Sequence, residues 1–191
     1  MEERQTPEYA LDLFADRTNA RDVARGILHL IFFHRMFASI TPSTLDVLDV
    51  ALPRVIDNDL DAVVDQRVND LLRQLDHDYP QQHGGRGQIA IHFSERKRRK
   101  GWFGNTNDDE LIWETWIISF TMASPRTESD TYKVRKATEK SLDNAFAKVM
   151  SIVARDTAHI PPITTNEGNP FPYSIQVKSK NEGWGRGIRV F

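Results

Sequence analysis

Cysteine is absent from this chain of 191 residues, and so is any long run of apolar residues. Without cysteine, disulfides, thiolate metal sites and cysteine nucleophiles are excluded, as is common in a reducing compartment. The longest apolar run, Ile27–Phe33, is interrupted by His29 and is too short to cross a bilayer. The acidic residues Glu2 and Glu3 do not resemble the basic start of a signal peptide. We therefore expect a soluble protein of the cytoplasm.

A strong charge imbalance and recognisable catalytic motifs are also missing. The chain carries 25 Lys and Arg against 27 Asp and Glu, a formal net charge of −2. Binding of nucleic acid over most of the surface usually requires a clear positive excess, so only a local basic patch could serve. No Gly-x-Ser-x-Gly elbow, Walker loop or pair of histidines at metal-ligand spacing is present. The sequence predicts a protein that is not an enzyme and that holds no cofactor and no metal.

Three segments have the pattern of helices. Residues 20–37 are apolar on nearly all sides, which predicts a helix buried on several faces, with His29 and His34 as satisfied core or rim histidines. A second helix begins after Asp57 or Asn58 and has one apolar stripe. A third begins after the capping residue Thr127 and ends before Pro161. Its predicted buried stripe is Val134, Ala137, Leu142, Ala145, Phe146, Val149, Met150 and Val153.

The remaining patterned segments predict strands. Leu45–Val55 contains Pro53 and reads as one edge or terminal strand, since proline cannot donate to a ladder. Ile89–Phe93 alternates as a half-buried strand does, and Ile112–Met122 is rich in β-formers. Residues 170–177 and 187–191 predict two short strands in a C-terminal tail of about residues 163–191. The length favours a single domain, residues 1–191.

Two tryptophans in the strand Ile112–Met122 are separated by an odd number of positions, so a regular strand places them on opposite faces. Trp116 shares its face with Ile118, Phe120 and Met122, which predicts that it is a core residue. Trp113 shares its face with polar residues, so we expect its replacement to cost less stability than replacement of Trp116.

A basic run that ends in two aromatics is the most informative segment of the chain. Arg98, Arg99 and Lys100 precede the tip, which is formed by Gly101-Trp102-Phe103-Gly104. Glycines disfavour a helix or strand interior, so we predict an exposed turn that joins two antiparallel strands, a finger over about residues 96–110. With a turn near Trp102 and Phe103, Arg96 and Lys97 fall opposite Asp109 and Asp108, and these charges complement each other.

Three uses of this finger are open at this point. Exposed paired aromatics favour binding of a partner protein through Trp102 and Phe103. The basic residues 96–100 could instead bind a nucleic-acid strand or an anionic membrane, although the acidic residues opposite cancel much of that field. The third possibility is a plain loop that folds back on the domain.

The order of these features resembles a known family. The helix ending in Leu28–Arg35, the strand Gln88–Phe93, the basic stem with its Trp-Phe tip, and Trp113-Glu114-Thr115-Trp116 are similar to the autophagy-related protein 101 family. The similarity extends from about Tyr9 to Val153. Its most specific part is the combination of stem, tip and the two following tryptophans.

The resemblance implies a HORMA domain, which is α+β, with three helices packed on a mainly antiparallel sheet and a protruding β-hairpin finger. It implies a non-enzymatic scaffold subunit of the autophagy-initiation kinase complex that works at the phagophore assembly site. It further implies pairing with the HORMA domain of autophagy-related protein 13 and recruitment of downstream autophagy factors through a Trp-Phe finger, here Trp102 and Phe103. No nucleic acid is expected as a partner, and any membrane contact is expected to be indirect. The alternative hypothesis is a module that binds nucleic acid or anionic membrane through residues 96–100.

Overall fold

The protein is described by a computed structural model that covers residues 6–78, 84–100, 106–164 and 168–179. Three helices and a mixed sheet form an α+β fold, which confirms the predicted class. In chain order the elements are β1 (Glu8–Asp16), α1 (Ala20–Arg35), β2 (Pro42–Val47), β3 (Val50–Val55), α2 (Asn58–Asp78), β4 (Gly84–Lys100), β5 (Thr106–Ala123), α3 (Glu128–Arg155) and β6 (Tyr173–Ser179).

The main sheet has the strand order β1-β5-β4-β6. β4 pairs antiparallel with both β5 and β6, whereas β1 runs parallel to β5. Its core face carries Ile91 of β4 and Trp116 of β5, which lie directly opposite each other and are fully buried. Helices α1 and α2 cover this face. Phe32 of α1 packs edge-on against Phe93, and a Cβ on Gly87 would lie 2.7 Å from Leu71 Cδ1 of α2.

β1 was not predicted from the sequence, although its signal is present. Leu11, Leu13 and Ala15 are buried, and they alternate with the exposed residues Ala10 and Asp12. This is the period of a half-buried strand. The polar residues and the two alanines in the segment weakened its apolar pattern, and only the parallel pairing with β5 makes it a strand of the sheet.

The prediction of one strand over Leu45–Val55 was wrong. β2 and β3 form a separate two-stranded antiparallel sheet, and Pro53 lies in β3 opposite Thr44. The turn between them includes Leu48 with φ +54°, a conformation that leucine rarely adopts. Because no glycine or asparagine marks this turn, the sequence reads as one continuous strand.

All three predicted helices are confirmed, with differences at their ends and faces. α1 ends at Arg35, two positions before the predicted end. Thr127 caps α3 as predicted, since its Oγ1 accepts a hydrogen bond from the Asp130 N–H at 3.1 Å. The buried stripe of α3 is wrong at Ala137, which is exposed, because the adjacent residue Thr138 faces β1 instead and is fully buried.

α3 lies along β1 and protects the outward edge of that strand. Thr138 Oγ1 accepts a hydrogen bond from the Asp16 N–H at 3.3 Å, and Ser141 Oγ accepts one from the Phe14 N–H at 2.8 Å. Two hydroxyls of the helix therefore satisfy backbone donors that would otherwise be unpaired at the sheet edge. Within the described ranges, no helix is long and apolar enough to span a membrane.

Candidate functional site at the root of the β4–β5 hairpin

β4 and β5 form one long antiparallel hairpin, from the pair Gly84 and Ala123 to the pair Lys100 and Thr106. This confirms the predicted ribbon, which is longer than the Ile89–Phe93 and Ile112–Met122 segments indicated. The predicted register is wrong by one position, because Arg96 lies opposite Glu110. The predicted pairing assumed a turn centred between Trp102 and Phe103, and the observed ladder is offset from that centre.

The site residues predicted from the sequence divide into two groups. The backbone of Arg98, Arg99 and Lys100 belongs to β4, where Arg98 is paired with Asp108 and Arg99 with Asn107. Gly101, Trp102, Phe103 and Gly104 lie outside the described residues, as do residues 187–191, for which a strand was predicted. Their assignment to a binding site stays a prediction.

The hairpin separates from the rest of the sheet at a defined point. β6 pairs with β4 as far as Phe93, and β1 pairs with β5 only from Thr115 onwards. Beyond this point β4 and β5 pair with each other and with no further strand of the described structure. Solvent exposure changes at the same point, from 1 % at Phe93 to 42 % at Leu111 and 45 % at Ile112. We call the residues around Phe93, Ser94, Trp113 and Glu114 the root of the hairpin.

A β-bulge marks the root. Phe93 pairs with Glu114 while Ser94 pairs with Ile112, so Trp113 is an extra residue on β5. The expectation that Trp113 lies on a polar face is wrong, because Trp113 is only 6 % exposed. The bulge interrupts the alternation of the strand and turns the side chain toward the body. No glycine signals the bulge, so it could not be recognised from the sequence.

Three aromatic rings surround the indole of Trp113. Its ring centroid lies 5.6 Å from that of Phe93, 5.1 Å from that of Phe171 and 5.7 Å from that of His159. These distances are typical of packed aromatic pairs. Phe171 and His159 belong to the chain after α3, so this chain contributes directly to the root.

Glu114 is the polar centre of the root and is fully buried. Its carboxylate accepts hydrogen bonds from Arg35 Nε at 2.8 and 2.9 Å and from Trp116 Nε1, and it lies 2.7 Å from His159 Nε2. Because a carboxylate only accepts, His159 Nε2 is the donor. The Arg35 Nη2 also donates to the Asp156 carbonyl at 3.3 Å. This cluster joins the end of α1, the centre of β5 and the segment after α3.

The sequence contains a signal for this cluster. An acidic residue between two strand tryptophans requires a buried partner, and Arg35 ends an apolar helix. The sequence alone does not say that these two residues meet.

Nearby, burial, followed by the carboxylates of Asp156 and Glu114, raises the pKa of Tyr9 to about 12. The phenol of Tyr9 therefore stays protonated at neutral pH.

A second polar feature runs along the seam between α1 and α2. Residues at every fourth position before and within α1 meet acceptors on α2, and the pairs become more buried along the seam. The pairs are Arg17 with Asp76, Arg21 with Asn69, Arg25 with Asp65, and His29 with Asp61.

His29 departs from the expectation of a satisfied histidine. It is fully buried, and among the described residues neither ring nitrogen has a hydrogen-bond partner, although Nε2 lies 3.5 Å from Asp61 Oδ1. Burial, followed by the positive charge of Arg25, lowers the pKa of His29 to about 4. Burial also lowers the pKa of His34. Both histidines are therefore neutral at physiological pH.

The described side chains include no group of three or more His, Asp or Glu residues that could hold a metal ion. The root instead combines the buried Arg35–Glu114 ion pair with packed aromatic rings, and it lies where the two-stranded ribbon becomes exposed. Such an arrangement can hold a projecting hairpin in place.

Comparison with known proteins decides the family. A family model described as autophagy-related protein 101 matches residues 12–167, which include all three helices and the hairpin. The chain belongs to the autophagy-related protein 101 family. This confirms the resemblance drawn from the sequence, and it gives the protein a role in autophagy.

Two curated relatives agree with this assignment. Autophagy-related protein 101 of Schizosaccharomyces pombe (strain 972 / ATCC 24843) is 29 % identical over 167 residues, covering 87 % of this chain and 84 % of the relative. Autophagy-related protein 101 of Arabidopsis thaliana is 24 % identical over 193 residues, covering 90 % of this chain and 86 % of the relative. The similarity to both members thus extends over most of the fold.

Proposed function

We propose that this chain is a non-enzymatic scaffold and adaptor subunit in autophagy initiation. As a HORMA domain it pairs with the HORMA domain of autophagy-related protein 13 and stabilises it within the autophagy-initiation kinase complex. It recruits downstream autophagy factors through Trp102 and Phe103 at the tip of the β4–β5 hairpin. It acts in the cytoplasm at the phagophore assembly site and contacts membranes only indirectly.

The observation that carries this proposal is the hairpin in a member of an autophagy family. Beyond the root the ribbon has no third described strand, and the described side chains of Arg96, Glu110, Leu111 and Ile112 are exposed. The sequence between the two strands is Gly101-Trp102-Phe103-Gly104-Asn105. Two large aromatics at the end of such a ribbon are the residue type that dominates binding energy at protein interfaces.

The register argues against the alternative of a nucleic-acid or anionic-membrane site on residues 96–100. Arg96 lies opposite Glu110, Lys97 opposite Asp109, and Arg98 opposite Asp108. The Arg96 Nε lies 3.7 Å from Glu110 Oε1, although both side chains are well exposed. A stem that pairs basic with acidic residues presents a weak net field to phosphates.

Two double variants test the proposal. Replacing Trp102 and Phe103 by alanine should change the free energy of unfolding by no more than about 0.5 kcal/mol, because exposed residues contribute little to stability. Pull-down of downstream autophagy factors and autophagosome formation should both collapse, since two aromatic hot spots contribute roughly 2 kcal/mol or more each. Pairing with the HORMA domain of autophagy-related protein 13 should be unchanged.

The matched control replaces Arg98 and Arg99 by alanine on the same hairpin. It should reduce recruitment much less, because these residues belong to the stem rather than to its end. Normal autophagosome formation without Trp102 and Phe103, or a greater loss in the arginine variant, would contradict the assignment of the tip as the recruiting site.

A further inference from the structure

We infer that Trp113, Phe171 and His159 are positioning residues that fix the direction in which the β4–β5 hairpin leaves the body. The inference rests on the proposed function, because direction matters only if the hairpin presents a binding site. By holding the root of the hairpin, the chain after α3 contributes to recruitment without contacting the recruited factor.

The hairpin requires such a device for a physical reason. Its outer part is a ribbon of two strands, which by itself is marginally stable and twists easily. Any freedom at the root is magnified at the far end, because residues add about 3.3 Å each along a strand. A bulge at Trp113 bends the ribbon at this point, so contacts to the bulge set the angle.

On the β5 side, Trp113 is held by the chain after α3. The ring of Phe171 packs at 62° to the indole and is itself only 3 % exposed, while His159 packs against the same indole. Phe171 is anchored in turn by an edge-on contact with Phe37 of the body. Rotation of the ribbon about its root would break these contacts together.

On the β4 side, the backbone provides the contact. The Ser94 N–H donates to the Pro172 carbonyl at 2.9 Å, and the Ser94 hydroxyl donates to the same oxygen at 3.2 Å. Asn169 fixes this part of the chain, because its Nδ2 donates to the Phe171 carbonyl at 2.7 Å. Residues 169–172 therefore contact both strands of the root, β5 through Phe171 and β4 through Pro172.

His159 connects the root to the helical layer. Its ring packs against Trp113, its Nε2 donates to Glu114, and Glu114 is paired with Arg35 at the end of α1. The described chain after α3 thus contacts the root at two separated places, around His159 and around Phe171. This arrangement makes the chain after α3 a second determinant of the hairpin direction, in addition to the sheet.

The absence of cysteine makes the direction directly measurable. One spin label is placed on the hairpin at Lys97→Cys, and the second on α3 at Tyr132→Cys, a residue that is 65 % exposed. The distance distribution between the labels, measured by pulsed electron resonance on the full chain, should be narrow. A second pair combines the hairpin label with one at Ile56→Cys, a residue that is 53 % exposed. Because this distance is measured from a different part of the body, the two distances together report a change in the direction of the hairpin.

Phe171→Ala should broaden or shift both distributions, and Phe171→Leu should restore part of the narrow distribution. Leu71→Ala is the matched control, because it also creates a cavity at a buried site of α2 but packs against Gly87, six positions before Phe93 along β4. It should lower stability without changing either distribution. If Phe171→Ala does not fold, His159→Ala combined with Ser94→Ala removes the other side-chain contacts between the root and the chain after α3.

Recruitment provides the functional readout. In folded root variants, recruitment of downstream factors should fall by about tenfold, a change of 1.4 kcal/mol in affinity, while pairing with the HORMA partner is retained. Unchanged distance distributions in the root variants, or equal broadening in Leu71→Ala, would overturn the inference. The label distances do not depend on the assignment of Trp102 and Phe103 as the recruiting site. Altered distances with unaltered recruitment would therefore contradict the proposed function but not the role of the root.

Discussion

Arg35 at the end of α1 and Glu114 in β5 form a buried ion pair, with side chains that are 2 % and 0 % exposed. The Arg35 Nε lies within hydrogen-bond distance of both carboxylate oxygens. Glu114 also accepts from Trp116 and His159, so its charge is fully partnered. The pair fixes the helical layer to the central strand at the point where the hairpin begins.

Removing one partner of this pair should be strongly destabilising. Arg35→Met leaves a buried carboxylate without its cation, and we expect a loss of about 3–5 kcal/mol in the free energy of unfolding. Urea unfolding measures it. Arg17→Met is the control, because its pair with Asp76 is exposed and should contribute less than about 1 kcal/mol. Similar losses in the two variants would show that Glu114 is not confined to a dry environment.

Stability should fall with decreasing pH because of His29. Its pKa is about 4 in the folded protein and about 6.5 when unfolded, so the unfolded state binds more protons between these values. Stability is therefore unaffected above about pH 7 and is lost as the pH falls from about 6.5 to about 4, by roughly 3 kcal/mol in total. Urea midpoints measured between pH 7.5 and pH 4.5 report the slope.

His34 and His92 contribute in the same direction, because their pKa values are also lowered, first by burial. The contribution of His29 is therefore the difference between the native chain and His29→Leu. At neutral pH the free energy of unfolding of this variant should be unchanged or higher than that of the native chain. The substitution removes two buried ring nitrogens that have no hydrogen-bond partners among the described residues. The same pH slope in the native chain and in His29→Leu would exclude His29 as the source.

Phenylalanine substitutions should distinguish the two tryptophans of β5. Trp116→Phe removes the indole donor to the buried Glu114 and should cost about 1–3 kcal/mol more than the change in packing alone. Trp113→Phe removes an indole N–H that has no hydrogen-bond partner in the described structure, so only packing is lost. Guanidinium unfolding of both variants should show the larger loss for Trp116→Phe, and the reverse order would contradict the hydrogen-bond assignment.

A HORMA partner should raise the thermal stability of this chain, if the proposed pairing is correct. A ligand that binds only the folded state adds about 2.7 kcal/mol at a free concentration of 100 times its dissociation constant. Calorimetry of the chain with and without the HORMA domain of autophagy-related protein 13 measures the shift. No rise in melting temperature at saturating partner would exclude the heterodimer, and the Trp102 and Phe103 double alanine should show the same rise as the native chain.

Much of the architecture followed from local patterns in the sequence. The three helices, the cap at Thr127 and the antiparallel pairing of β4 with β5 depend on apolar spacing, capping residues and strand-forming residues, which act over a few positions. The core position of Trp116 followed from the same alternation and is confirmed. The family resemblance depended on the order of these local features, so it too could be recognised from the sequence.

The tertiary structure decided what depends on contacts between distant residues. Glu114 and Arg35 are 79 positions apart, and Trp113 is buried only because a bulge directs it toward residues that follow α3. β1 becomes a strand by pairing with β5 across more than a hundred positions, and Leu48 turns without a glycine. Periodicity reports which face of an element is buried, whereas the partner of a buried charge and the position of a bulge are set by packing between elements.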